Sequence, residues 1–129
     1  MQWDPALECG VELIDNEHKE LFNMVGSLMK ESSKEMSGET LDFLDEYTAK
    51  HFAHEEELMR QCNYPYAVEH KELHDKFINA LNNLKEKFEK NDGNQAVRTE
   101  IYHAAMSWLF NHIKVIDQRF TDYYKANNN

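Results

Sequence analysis

The sequence predicts an all-α protein, an antiparallel up-down-up-down four-helix bundle with an extended N-terminal arm. Helix breakers are few, because the 129 residues include only four Gly and two Pro. Strong helix formers such as Leu, Glu, Lys, Met and Ala dominate. Four segments each carry one apolar stripe at helical spacing, and short turns separate them. A chain of this length suits a single domain, residues 1–129.

The first third of the chain is predicted to contain the arm and the first helix. Residues 1–14 form the arm, in which Pro5 and Gly10 interrupt helix and apolar anchors are available at Trp3, Leu7, Val11 and Leu13. Asp15 is the expected N-cap of a helix over about 16–36. The pair at residues 37–38, Ser-Gly, is the expected break after it.

Three further helices are predicted after this break. The second covers about 39–61 and ends before Asn63-Tyr64-Pro65, where the proline suits the start of the next helix. The third covers about 66–90 and stops at Asn91-Asp92-Gly93. The fourth covers about 95–125, and the tail at 126–129 is expected to fray.

Composition excludes several classes of function. The net charge is −10 at pH 7, so the surface repels phosphate groups and argues against nucleic acid and anionic membranes as partners. We expect no membrane span and no signal peptide, and therefore a cytoplasmic protein. Cys9 and Cys62 lack the CxxC spacing and are expected to be two reduced thiols.

Polar groups interrupt the apolar stripes in all four helices. Burying them unpaired would cost several kcal/mol for a carboxylate, and each imidazole needs partners for both ring nitrogens. Six such groups therefore have to satisfy one another or bind metal. They are His18, His51, Glu55, His70, His74 and His112.

The spacing of these groups favours metal binding. His51 and Glu55 are separated by four residues, as are His70 and His74, which places each pair on one helix face. Imidazole with some carboxylate suits iron, copper or zinc better than calcium or magnesium. Each motif alone is weak, so the prediction depends on the convergence of four stripes.

Asp117 lies five residues after His112, which on a regular helix turns it away from the His112 face. A π-bulge between them would restore a common face, and such bulges favour functional sites. The alternative is a surface aspartate near Lys114 and Arg119. Spacing alone leaves both interpretations open.

The chain resembles the hemerythrin family, and its bacterial members more closely, from Trp3 to about Tyr124. Four segments carry the resemblance: residues 14–23 (IDNEHKELFN), residues 51–56 (HFAHEE) with Met59 and Tyr64-Pro65, His70-x-x-x-His74-x-x-Phe77, and Trp108-Leu109-x-x-His112-Ile113-x-x-x-Asp117. All seven ligand positions of the family are filled by the expected residue types.

The resemblance implies two iron ions with unequal ligand sets and an oxo or hydroxo bridge. His70, His74 and His112 would bind one iron, His18 and His51 would bind the other, and Glu55 and Asp117 would bridge both. The iron with two histidines would keep a vacant position for dioxygen. Family positions also suggest a dioxygen pocket formed by Leu21, Phe22, Phe52, Trp108, Leu109 and Ile113, although the same residues suit ordinary core packing.

The resemblance therefore predicts reversible dioxygen binding for storage, delivery or sensing, and not an enzyme. The main alternative is a di-iron redox enzyme on the same bundle, a peroxidase, an oxidase or a nitric-oxide-handling protein. A sensor module and a zinc-stabilised bundle are further alternatives. We expect a monomer, although the family includes larger assemblies, and an oxygen-consuming protein as a partner.

The remaining histidines and several acids are assigned to the surface. His54 and His103 have no ligand counterpart in the family and are expected to be solvated. Glu56, Glu57 and Glu69 are likewise interpreted as solvated charge.

Overall fold

A computed structural model of the protein describes residues 3–30 and 33–127. Helix α1 spans Glu12–Ser27, α2 spans Lys34–Gln61 and α3 spans Ala67–Lys90. The fourth helical rod has three parts, α4 at Gln95–Asn111, a π-helical turn at His112–Asp117 and α5 at Gln118–Asn127. Helices α1 and α3 each pack against α2 and α4, so the four rods close into the predicted bundle. Within the described residues, no helix combines the length and apolarity needed to cross a membrane.

Two of the three predicted breaks are confirmed. Asn63 has a φ of 54°, and the following Tyr64 N–H donates to Met59 O at 2.9 Å, which closes the end of α2. Gly93 has a φ of 59°, and its N–H donates to Phe88 O at 2.8 Å after α3. A Cβ at Gly93 would lie 2.8 Å from Phe88 Cζ, so this turn requires glycine.

The predicted break at Ser37-Gly38 is wrong, because both residues lie inside α2. The helix begins at Lys34, and the Ser33 hydroxyl caps it by accepting from the Met36 N–H at 3.1 Å. Ser37 is fully buried. The Phe88 ring packs so close to Gly38 that a Cβ added there would lie 3.7 Å from Phe88 Cε1. Helix α1 accordingly ends at Ser27, well before the predicted residue 36.

Asp15 is not the N-cap that the sequence predicted. Helix α1 begins at Glu12, so the last three residues of the predicted arm are helical, and Leu13 is 47% exposed instead of an apolar anchor. The Asp15 carboxylate points back to the arm and accepts from the Cys9 N–H at 2.8 Å and the Gly10 N–H at 3.1 Å. It therefore fixes the arm to the first turn of α1.

The arm packs against α5 at the far end of the chain. A 3-10 turn at Pro5–Leu7 buries Leu7 and is followed by buried Cys9. The Gln118 side-chain amide donates to Leu7 O at 3.0 Å, and Lys125 Nζ donates to Cys9 O at 2.6 Å. Both cysteines are free, and burial raises the pKa of the Cys9 thiol to about 12. Helix α5 continues to Asn127, two residues past the predicted end at 125, and residues 128–129 lie outside the described residues.

Replacing Asp15 with alanine is expected to lower the free energy of unfolding by about 1–3 kcal/mol. The change leaves two N–H groups of the arm without their acceptor, one of them buried, and such groups carry a desolvation cost of that order. Urea denaturation followed by circular dichroism measures the difference. Asn16→Ala, at the exposed neighbouring position, is the control and should change stability by less than about 0.5 kcal/mol. Equal effects at the two positions would contradict the assigned role of Asp15.

Two apolar clusters occupy the two ends of the bundle. The larger one contains residues of all four helices, among them Leu21, Leu44, Leu81 and Ile101. The smaller one joins Met59, Cys62 and Tyr64 to Phe120 of α5. In α2, α3 and the fourth rod, the polar residues that interrupt the stripes lie between these clusters, for example His51 and Glu55 between Leu44 and Met59 of α2.

Candidate metal centre

Seven polar side chains meet in the middle of the bundle. Helix α1 provides one of them, α2 and α3 provide two each, and the π-helical turn provides two. Each is at most 5% exposed. They are the residues predicted as metal ligands from the sequence, His18, His51, Glu55, His70, His74, His112 and Asp117.

The π-helical turn brings Asp117 into this group. The turn begins at His112 and ends at Asp117, which adds one residue to the helical repeat and puts both side chains on the inner face. Asp117 Oδ1 lies 3.1 Å from His112 Nε2, and the side chain is 1% exposed. The π-bulge interpretation is therefore confirmed, and the alternative of a surface aspartate is wrong.

The two carboxylates divide the five histidines into a group of three and a group of two. Glu55 directs Oε1 to His74 Nε2 at 3.0 Å and to His70 Nε2 at 3.5 Å. It directs Oε2 to His51 Nε2 at 3.3 Å and to His18 Nε2 at 3.6 Å. One oxygen therefore serves one pair of histidines, and the second oxygen serves the other pair.

Asp117 repeats this division. Its Oδ1 lies 3.1 Å from both His70 Nε2 and His112 Nε2, whereas its Oδ2 lies 3.0 Å from His18 Nε2. Potential ligand atoms within 4.8 Å of one another form two groups that share both carboxylates. The first adds His70, His74 and His112, and the second adds His18 and His51. The arrangement suits two neighbouring cations bridged by Glu55 and Asp117.

The hydrogen-bonding pattern fits this interpretation. The Nε2 atoms of His18, His70, His74 and His112 and all four carboxylate oxygens are buried without a hydrogen-bond partner. Native proteins rarely leave buried polar atoms unsatisfied, and a cluster of this size requires an explanation. Metal coordination satisfies imidazole nitrogens and carboxylate oxygens together, and this donor set suits a transition metal. The residues present therefore fit a pair of metal ions.

Electrostatics leads to the same conclusion. Burial would lower the pKa of His51, but the Glu55 and Glu17 carboxylates outweigh burial and raise that pKa to about 10. Burial also opposes the charged form of His70, yet Asp117 and Glu55 raise its pKa to about 9. Burial and the Glu55 charge would raise the pKa of Asp117, but the His112 and His18 rings hold it well below its usual range. The site is therefore organised around two ionised carboxylates that need positive charge nearby.

A second layer of carboxylates orients two of the histidines, and the sequence did not reveal it. Glu17, which is buried, accepts from His51 Nδ1 at 2.8 Å and contacts His54 Nδ1 at 2.7 Å. Glu56 lies 3.0 Å from His74 Nδ1, so its interpretation as simple solvated charge is wrong. A carboxylate at Nδ1 fixes the ring so that Nε2 faces the centre. Adjacency to the ligands His18 and Glu55 was the only sequence signal for these two glutamates.

The family model described as Hemerythrin HHE cation binding domain matches residues 9–124. The chain belongs to the hemerythrin family. It is 33% identical to a bacteriohemerythrin of Stenotrophomonas maltophilia, over 98% of this chain and 83% of the relative. It is 36% identical to the hemerythrin of Phascolopsis gouldii, over 92% of this chain and 88% of the relative.

A solved hemerythrin structure shares the fold of this family member. The crystal structure of wild-type hemerythrin superposes with a TM-score of 0.85 at 29% identity, covering 96% of this chain and 97% of that chain. The four-helix bundle is therefore the fold of a hemerythrin.

The predicted dioxygen-pocket residues of this hemerythrin lie in three environments. Four of them, Leu21, Phe52, Trp108 and Leu109, line an enclosed cavity of about 10 Å³ next to the polar cluster. Phe22 faces the arm instead, with its ring 5.2 Å from that of Trp3. Ile113 is fully buried in the larger apolar cluster and does not line the cavity. The two histidines assigned to the surface also differ, because His103 is exposed whereas His54 pairs with Glu17.

Proposed function

We propose that this hemerythrin-family protein binds dioxygen reversibly at a non-haem di-iron centre. The observation that carries the proposal is the division of five buried histidines into three and two by the paired oxygens of Glu55 and Asp117. Two ferrous ions, with an oxo or hydroxo bridge, would supply the electrons that reversible dioxygen binding requires.

The ligands would be distributed unequally between the two ions. His70, His74 and His112 would hold one iron, and His18 and His51 would hold the other. Glu55 and Asp117 would bridge them. Because the second set has one histidine fewer, we propose that dioxygen binds on that side. Two carboxylates and a hydroxide offset most of the charge of two ferrous ions, which suits a buried centre.

The surrounding side chains would protect bound dioxygen from water and protons. The cavity of about 10 Å³ is enclosed by apolar residues, and Phe52 stacks on His74 with ring centroids 3.7 Å apart. Excluding water prevents side reactions of reactive species in a closed site. Of the described residues that line this cavity, none is an acid or a base, and only Thr48 and Trp108 carry a polar side-chain group. This lining favours a carrier or sensor over an enzyme that must deliver protons.

We further propose that the chain functions as a single-domain monomer in the cytoplasm and supplies dioxygen to an oxygen-consuming partner protein. Two buried free thiols suit a reducing compartment. The arm and α5, from opposite ends of the chain, hold each other through Gln118 and Lys125, which supports one cooperative unit.

An optical titration of the iron-loaded protein tests the proposed function. The protein is reduced without air, exposed to dioxygen and then purged with inert gas. Reversible gain and loss of a visible charge-transfer band is expected for a dioxygen carrier. Immediate, irreversible conversion to the ferric form would overturn the proposal and favour an oxidase, a peroxidase or a redox sensor. Two zinc ions per chain after growth in adequate iron would also overturn it.

Replacing Glu17 with glutamine is expected to weaken metal binding by about 10–100-fold, the usual effect of losing an outer-layer partner. The glutamine side chain keeps the volume but loses the negative charge that orients His51 and His54. Competition with a chromophoric chelator measures the affinity. Glu20→Gln removes the same charge from an exposed position of α1 and should leave the affinity unchanged. Equal affinities for the Glu17 variant and the wild type would refute the orienting role.

A further inference from the structure

An open groove of about 700 Å³ runs along the outer side of α4 and the π-helical turn, next to Leu73 of α3. It lies on the surface and is distinct from the enclosed cavity described above. Trp108 and His112 line it, and Val115, which is 60% exposed, borders it. The groove therefore connects solvent with the ring of one proposed metal ligand.

The groove is uncharged in a strongly acidic protein. Of the described residues that line it, none is Asp, Glu, Lys or Arg, although the chain has 24 acidic and 14 basic residues. Ser107 and Asn111 are its neutral polar groups. An anionic ligand would be repelled by the net charge of −10 and would find no basic partner in the groove. The lining therefore disfavours an anion, offers a cation no carboxylate partner within the groove, and suits an uncharged ligand best.

Stacked aromatic rings connect the groove with the polar cluster. The Trp108 ring lies parallel to His112, with centroids 4.3 Å apart and an interplanar angle of 13°. Its other neighbour, Phe77, stacks on it at 4.1 Å and 19°. His112 Nε2 in turn lies 3.1 Å from Asp117 Oδ1 at the centre. Since Phe77 and His112 stack on Trp108, a ligand in the groove would contact the edge of the Trp108 ring and the side chain of His112, which is itself a proposed metal ligand.

We propose that this groove is where electrons enter to restore the ferrous centre, and that it binds an uncharged, planar donor of the hydroquinone class. The inference rests on the proposed di-iron function. One hydroquinone would release two electrons and two protons and become a quinone. The two electrons would reduce two ferric ions to ferrous ions, and the protons would pass to solvent. The groove, at about 700 Å³, has room for a ring system of this size.

Binding is tested first on zinc-loaded protein, in which no redox chemistry takes place. A Trp3→Phe background leaves Trp108 as the sole tryptophan, so its fluorescence reports on the groove. The probe is dimethylnaphthoquinone, whose quinone ring has no open position for thiol attack, and a sulfonated analogue is the anionic comparison. We expect saturable quenching by the neutral quinone and at least about tenfold weaker binding of the sulfonate, a difference of about 1.4 kcal/mol. Equal or non-saturable quenching by both probes would overturn the proposal.

Two valine variants provide a matched pair. Val115→Glu adds a charge at the groove, whereas Val68→Glu adds the same charge to a residue of α3 that is 70% exposed and does not line it. Val115→Glu should weaken quinone binding about tenfold, and it should slow anaerobic reduction of the ferric protein by the hydroquinone to a similar degree. Val68→Glu should change neither. Equal behaviour of the two variants would overturn the proposal.

Two outcomes separate this inference from the proposed function. If the protein shows a reversible dioxygen spectrum but Val115→Glu and Val68→Glu behave identically, only the proposed route of electron entry is refuted. Selective quinone binding to the zinc form without any reversible dioxygen spectrum would support the groove site and refute the dioxygen function. A concentration-dependent dimer that Val115→Glu dissociates and quinone leaves intact would assign the groove to a second copy of the chain, and would overturn the proposal.

Discussion

A Glu55→Gln variant is expected to lose at least about 100-fold in affinity for the metal pair, more than the change typical of an outer-layer residue. Glu55 contacts four of the five histidines, two through each oxygen. Glutamine keeps the size but replaces one shared oxygen by an NH₂ group, which cannot ligate a cation. One histidine group therefore loses its connection to the other.

Metal content after chelator competition, together with the amplitude of the dioxygen-dependent band, measures this loss. Glu57→Gln is the control, because Glu57 lies two residues further along α2, is exposed and pairs with Arg60 outside the bundle. It should bind metal as the wild type does. Wild-type metal content in the Glu55 variant would contradict a bridging role and leave Asp117 as the main link between the two groups.

Removing the metal is expected to lower the melting temperature on the order of 10–20 °C, given roughly 3–6 °C per kcal/mol for a domain of this size. A ligand that binds only the folded state stabilises it by about 4 kcal/mol at 1,000 times its dissociation constant. Without metal, the Nε2 atoms of four histidines and both carboxylates stay buried and unsatisfied. The centre would therefore contribute directly to the stability of the bundle.

Thermal denaturation before and after chelation, followed by reconstitution with iron, measures this contribution. The melting temperature should recover when iron is restored. The Glu55→Gln variant should show a much smaller difference between treated and untreated samples, because it holds less metal. A wild-type protein that melts at the same temperature with and without metal would show that the bundle tolerates the cluster by itself.

Local sequence signals predicted the centre of the fold and the ends of several helices. Helices α2 and α3 end next to Asn63 and Gly93, which adopt positive φ values that few other residue types tolerate. The residue types alone were therefore enough to predict these two helix ends. The π-helical turn was one of two interpretations of a stripe in which Asp117 and Phe120 are out of phase with His112, and spacing alone did not choose between them. Six of the seven polar side chains were found because buried charge inside apolar stripes has few explanations, and the family resemblance added Asp117.

Tertiary contacts explain what the sequence did not reveal. Gly38 lies inside α2 because Phe88 of α3 packs on its face, which overrides the usual breaking effect of glycine. Asp15 had the right residue type for an N-cap, but its acceptors are used by the arm at Cys9 and Gly10. The role of Glu17 depends on rings contributed by another helix, 34 and 37 residues away. No local pattern records such partners.

The π-helical turn also limits how the length of the chain can change. Deleting one residue between His112 and Asp117 would leave them four residues apart, a spacing that a regular α-helix places on one face, so the turn could become α-helix with Asp117 still at the centre. Inserting a residue there, or deleting one between Asp117 and Phe120, would instead rotate the following residues by about 100°. Phe120 would then leave Tyr64, whose ring lies 5.3 Å away, and Lys125 would lose the arm. A single deletion inside the turn is therefore easier to accommodate than an insertion there or a deletion after it.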